Sequence, residues 1–181
     1  MGIVLIDPAT DFPVTLTEAK EHCFAGGTSD FNGLFDRLIR AATVFAEGYT
    51  GRSLAVKTWD LVLDAFADEI ELPGGPVTNV TQVQFYDADG ALQTLGSDTY
   101  LVDLSSNPQR LVLATGESWP ATADRINAVT VRYIAGYAAN VPEDIRQAIL
   151  MLVAGWFQDR EQGAPSQGAL RLLDQHRRMV I

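Results

Sequence analysis

Histidine and cysteine are nearly missing: the 181 residues hold two of the first and one of the second. With Cys23 alone, no internal disulfide and no multi-cysteine zinc site can form. His22 stands beside it near a predicted helix end, but sequence neighbours do not face one another on a helix. No second His or Cys lies close enough in sequence to complete a local ligand set. His176, between Gln175 and Arg177, falls on a polar helix face without the positioned partner that a general base needs. Lysine and arginine are absent from residues 59–109, a stretch with nine acidic residues. Long hydrophobic runs are absent too: nothing approaches the roughly 18–20 apolar residues that span a bilayer. Residues 1–6 lack the basic start of a secretion signal and run into Asp7-Pro8. A soluble, cytoplasmic chain with no metal, cofactor or membrane partner is expected.

What is present is an ordinary globular composition. Hydrophobic residues make up 47% and charged residues 20%, enough for one compact domain or a small body with an insertion. The net charge of −10 argues against sequence-independent binding to a phosphate backbone, which needs clustered Lys and Arg. It is compatible with a wall past which DNA slides, because like charges repel. The charge is lopsided. Residues 59–109 sum to −9, while residues 143–181 hold five acids and five bases.

Periodicity divides the chain into three parts. Thr15 and Glu18 have the spacing of a capping box, which predicts a short helix to about Cys23, stopped at Gly26-Gly27. Asp30 reads as the N-cap of a longer helix. Phe31, Leu34, Phe35, Leu38, Ile39, Ala42, Phe45, Ala46 and Tyr49 line one face of it, and Gly51 is its stop. The period then becomes two: Trp59, Leu61 and Leu63 share a face, with the aspartates on the solvent side. Further strands are predicted at 80–86, 100–104, 111–113 and 129–134, with a hairpin at Asp87-Ala88-Asp89-Gly90. These short, punctuated strands should pair antiparallel. Helical spacing returns after Val141, with Pro142 at the first helical position and Ile145, Ala148, Ile149, Leu152, Val153, Trp156 and Phe157 as the buried stripe. A last helix is expected over 167–178. The fold class is therefore α+β. N- and C-terminal helices (1–57 and 138–181) form one discontinuous bundle around an inserted antiparallel β module (58–137), since each long helix has an apolar stripe to cover.

None of the candidate chemical motifs has its full complement of residues. Asp87–Gly90 resembles the start of a calcium loop, but the bidentate acid near the loop end is missing and strands replace the flanking helices. Gly48-Tyr49-Thr50-Gly51-Arg52-Ser53 echoes a phosphate loop, but follows a helix and lacks the lysine. No serine sits in a nucleophile elbow. No catalytic residue is assigned, and the chain reads as a non-enzyme. One feature stands apart: a basic tail with Arg171, Arg177 and Arg178, followed by the apolar Met179, Val180 and Ile181, which reads equally as a docking segment or as a frayed or locally packed helix end.

Taken in order, several segments carry a resemblance: P-V-T-L-T-E-A-K from Pro13, E-G-Y-T-G-R-S-L from Glu47, and T-W-D-L-V-L-D-A-F from Thr58. Q-F-Y-D-A-D-G-A-L-Q-T-L from Gln84, the stretch from Ser118 to Tyr137, and V-P-E-D-I-R-Q-A-I-L-M-L-V-A-G-W-F from Val141 complete the set. The chain resembles the head–tail connector (adaptor) proteins of long-tailed bacteriophages and gene transfer agents, in the variety with a β insertion. That resemblance implies a structural virion protein, assembled in the host cytoplasm. It would form a ring with neighbouring copies, usually a dodecamer, under the portal protein. The ring extends the DNA channel without specific DNA binding and offers a platform to the next neck or tail protein. It implies portal docking through the C-terminal segment, here Leu170, Arg171, Leu173, Arg177, Arg178, Met179, Val180 and Ile181. Arg40, Arg52, Arg146 and Arg160 are candidates for contacts between subunits, because scattered arginines in an acidic conduit serve proteins better than phosphates. Two other classes stay in view: a small hydrolase using carboxylates of the β module, and a generic protein-binding module.

Overall fold

The computed structural model describes residues 1–26, 29–137, 140–159 and 163–178. It is α+β, and the chain divides into two compact units. One comprises Thr10–Ala55 with Tyr137–Ile181; the other comprises Met1–Ala9 with Val56–Gly136. Residues 1–57 were expected to lie wholly in the helical body. The first nine instead join the β unit, because Gly2–Asp7 forms a strand there.

Among the described residues, four helices build the helical unit: α1 (Leu16–His22), α2 (Asn32–Thr50), α3 (Glu143–Gln158) and α4 (Gln167–Asp174). The capping box before α1 forms as its spacing predicts. The Thr15 hydroxyl accepts from the Glu18 N–H, and the Glu18 carboxylate accepts from the Thr15 N–H at 2.7 Å. That backbone hydrogen bond is the main reason the Glu18 carboxyl lies below the usual glutamate range, overcoming a burial effect that works the other way. The stabilisation is therefore complete above the ordinary glutamate range and is lost as pH falls through the lowered folded value. Thr15→Ala should destabilise the helical unit by about 1 kcal/mol in urea denaturation at neutral pH. The backbone bond survives this substitution, but the Thr15 hydroxyl also donates to the Glu18 carboxylate at 2.8 Å, and loss of that smaller contribution should make the difference from the unmutated chain shrink on acidification.

The start of α2 differs from expectation. Its N-cap is Phe31, without a side-chain cap, and Asp30 lies one residue outside. Packing overrides capping there, as the Phe31 ring meets Phe157 edge-on at 6.0 Å. At the other end Gly51 adopts φ 69°, the left-handed cap that glycine takes at least cost. Two threonines are buried on α2 because each satisfies its hydroxyl within the helix, Thr43 on the Ile39 carbonyl and Thr50 on that of Ala46. Pro142 is the N-cap of α3, one position before the expected one. The stripe is buried as predicted at Ile145, Ala148, Ile149, Leu152 and Val153, which meet Phe35, Ile39 and Leu54 in one core. α4 ends at Asp174, four residues short of its predicted end, and the chain then turns so that the Arg178 N–H donates to Thr50 O at 2.8 Å.

The β unit holds β1 (Gly2–Asp7), β2 (Lys57–Leu63), β3 (Glu69–Leu72), β4 (Val77–Tyr86), β5 (Leu92–Thr94), β6 (Tyr100–Asp103), β7 (Gln109–Leu113) and β8 (Val129–Ala135). They form a five-stranded sheet of order β1-β2-β8-β4-β5 and a three-stranded sheet of order β3-β7-β6, antiparallel throughout. The central β8 shows why the module folds. Val129, Val131, Tyr133 and Ala135 alternate into the core. In register, Leu61 faces Val131 and Val131 faces Val83, a cross-strand row with no exposed surface. The β4–β5 hairpin turns at the predicted place, with Gly90 at φ 81°.

One expectation about this sheet fails. Asp60, placed on the solvent side by alternation, is 8% exposed. Arg132, opposite it on β8, covers it through a two-pronged pair with Nε–Oδ1 at 2.7 Å and Nη2–Oδ2 at 2.8 Å. Among the described residues, no helix is long and apolar enough to cross a membrane.

Candidate functional site

The docking segment predicted at the C-terminus is tied onto the helical unit by side chains from three elements. Leu173 on α4 is fully buried in the core, and Leu170 is partly covered. The Tyr49 hydroxyl, on the last turn of α2, donates to Asp174 Oδ1 at 2.6 Å, and the Arg177 guanidinium lies over the Tyr49 ring at 5.4 Å. Arg52 Nε donates to the carbonyl of His176 at 2.8 Å. His176 was expected as a surface residue with no positioned partner. Its Nε2 instead lies 2.6 Å from Asp144 Oδ2, in the first turn of α3. Burial pushes the Asp144 carboxyl upward, but the hydrogen bond and charge of His176 outweigh it and hold the carboxyl low. This pair is a strap from α3 to the tail. Arg171 and Arg177 remain exposed, whereas Leu173 cannot reach a partner, because its side chain completes this chain's own core. Met179, Val180 and Ile181 lie outside the described residues.

Of the four arginines proposed for subunit contacts, the three among the described residues also find work within the chain. Arg146 donates to the Pro13 carbonyl at 2.7 Å, pairs with Glu18, and lies 3.3 Å from Glu143, bracing α1 against α3. Arg52 holds the tail, as above. Arg40 is exposed, with its guanidinium 4.7 Å from the Phe12 ring centroid, at the edge of an open groove of about 270 Å³ between the 10–16 segment and α2. Arg160 lies outside the described residues.

Carboxylates of the β module serve as structural acceptors. Asp60 pairs with Arg132, and Asp64 accepts from the Asn127 N–H at 2.8 Å, where Asn127 turns at φ 58°. Asp103 accepts from the N–H groups of Ser105 and Ser106, which hold its carboxyl low, and shares Arg110 with Glu69. Asp87 receives the Gln93 amide and the N–H groups of Ala91 and Asp89, which lower its carboxyl and make it the organiser of the hairpin. Cys23 closes α1, and burial pushes its thiol up, away from the thiolate that reactivity needs. Among the described residues, no group of three or more His, Cys, Asp and Glu side chains is placed to hold a metal ion.

Two surface features escaped sequence reading. Phe24 is 99% exposed and sits at φ 53°, a left-handed conformation that burdens a residue with a Cβ. Phe24→Gly removes no packing, so the helical unit should gain roughly 0.5–1 kcal/mol, read as a raised midpoint in urea. The other is β1, in which Ile3, Val4, Leu5 and Ile6 are all exposed. The run of β-branched residues could have marked it as a strand. Its partner β2 lies some fifty residues away, beyond the reach of local patterning.

No protein-family model matches this sequence, and neither does any curated protein. Solved structures do. A chain in the neck of the empty GTA particle, computed with C6 symmetry, matches with a TM-score of 0.82 at 23% identity, over 100% of this chain and 97% of the other. A chain in the virion of the native gene transfer agent (GTA) particle matches at 0.82 and 22%, with the same coverage. One in the neck of the native GTA particle, computed with C12 symmetry, matches at 0.80 and 21%, again over 100% and 97%. Over its whole length, this chain has the fold of a chain built into the neck of gene transfer agent particles.

Proposed function

We propose that this protein is a structural neck component of a phage-type particle, assembling as a ring under the portal and carrying the DNA channel toward the tail. The observation that supports this most is the full-length likeness, helical unit and β unit together, to chains of particle necks computed with C6 and C12 symmetry. The surface agrees with the role. An acidic module without Lys or Arg over residues 59–109 cannot grip a polyanion, so a sliding duplex would meet repulsion. Asp60, Asp87 and Asp103, which a hydrolase would need free, are engaged as strand and turn acceptors instead. The chain works by binding proteins. The exposed Arg171 and Arg177, with residues 179–181, form the portal-docking end, and Leu173 anchors it from within. Arg40 is the arginine best placed to meet a neighbouring copy.

The test is reconstitution on DNA-filled, portal-containing heads that lack this protein, imaged by electron microscopy. A new ring below the portal supports the role, and its absence on intact heads overturns it. Removal of residues 179–181 is the proper docking variant. Deleting the whole of 167–181 would also strip Ala169 and Leu173 from the core and confuse unfolding with lost docking.

A further inference from the structure

We infer that β1 is the strand through which one copy of this chain joins the next, its free edge pairing with the β5 edge of the neighbouring copy to continue the five-stranded sheet. The inference rests on the ring reading above and names its contact. β1 pairs with β2 on one side, and no described strand pairs with the other. Ile3, Val4, Leu5 and Ile6 are consecutive and each 37–50% exposed, so neither face of the strand is covered. A long apolar edge of this kind is a template for pairing, and proteins that stay apart guard such edges with charge, proline or a cover. Here residues 2–6 carry no charge and no proline, and Asp7 and Pro8 stand only at the strand's end.

Charge identifies the occupant. Each copy carries −10, so a contact between copies made through surfaces free of acid avoids like-charge repulsion. Of the four sheet edges among the described strands, β3 bears Glu69 and Glu71 along its length, while β6 and β1 each end in one aspartate, Asp103 and Asp7. β5 (Leu92, Gln93, Thr94) carries no charge at all, β1 offers five uncharged residues from Gly2 to Ile6 before Asp7, and Leu92 is itself exposed. These two are the opposite ends of one sheet. Joining them is necessarily head to tail, the contact type that closes into rings, whereas pairing β1 with β1 would stop at a dimer. Five antiparallel strands leave β1 and β5 running the same way. A many-membered ring keeps neighbouring strands similarly directed, so the junction is a parallel pair.

Thiol cross-linking tests this in particles from cells whose own gene copy is deleted and replaced by variants. In a Cys23→Ser background, Val4→Cys combined with Gln93→Cys and a short bifunctional thiol reagent should give a ladder of multimers beyond the dimer. The ladder should require both cysteines. Ring density in micrographs without a ladder overturns the contact and leaves the ring reading standing. Val4→Cys alone linking to a second copy, or to a different particle protein, also overturns it. No ring with the unmutated protein overturns the ring reading, and the contact with it. As a second probe, Val4→Lys alters an exposed side chain, so the melting temperature should hold while ring occupancy falls at least tenfold. Unchanged occupancy overturns the proposal.

Discussion

Replacing Phe35 by alanine should destabilise the helical unit by about 3–5 kcal/mol, the range for truncating a fully buried phenylalanine. Phe35 has no exposed surface, and its ring packs on Phe157 at 4.8 Å, joining α2 to α3 at the centre of the core. Little can collapse into the space, because Ile39 is held on α2 itself and Ile149 and Val153 on α3. The two units can be followed separately, since Trp156 belongs to the helical unit while Trp59 and Trp119 belong to the β unit. Urea titrations of a chain retaining only Trp156 should show a midpoint shifted well downward by Phe35→Ala. Loss of less than about 1 kcal/mol would mean that the aromatic contact is not a structural keystone.

In the β unit, Arg132→Met should cost about 2–3 kcal/mol. Breaking a buried pair strands the remaining charge, and the figure sits below the usual range because the arginine itself is partly exposed. Asp60 is left under a methionine with no counter-charge and almost no water. Adding Asp60→Leu should recover most of the loss, because two apolar groups in place of a buried pair are close to neutral. A double variant no more stable than Arg132→Met alone would show that the arginine stem, and not the stranded carboxylate, carries the effect. The readout is urea denaturation of a chain whose tryptophans are confined to the β unit.

Local pattern was enough for the helices. The α2 and α3 stripes recur at three and four residues, and their boundaries are chemical: Gly51 takes the positive φ that caps the end of α2, and Pro142, which has no N–H to give, marks the start of α3. The capping box at Thr15 and Glu18 is likewise a three-residue motif whose partners are near in sequence. β1 was illegible because its pairing joins residues some fifty positions apart, and β3 because Glu69–Leu72 is too short to show a period. The tail was read as a free docking helix since its amphipathic spacing says nothing of what covers it. Leu173 proved to be core, and Tyr49, Arg52 and Asp144 hold the rest.

By itself the sequence determined the α+β class, the antiparallel pairing of the module, its acidity, and the poverty of reactive groups. All of these follow from composition or from contacts within a few residues. Tertiary structure alone decided which charges are partnered and which edges are left open. Asp60 lies buried under Arg132 because β2 and β8 place them opposite, and β1 is exposed because it ends the sheet. Both depend on which distant segments meet, and that is set by burial of the shared core rather than by any local preference.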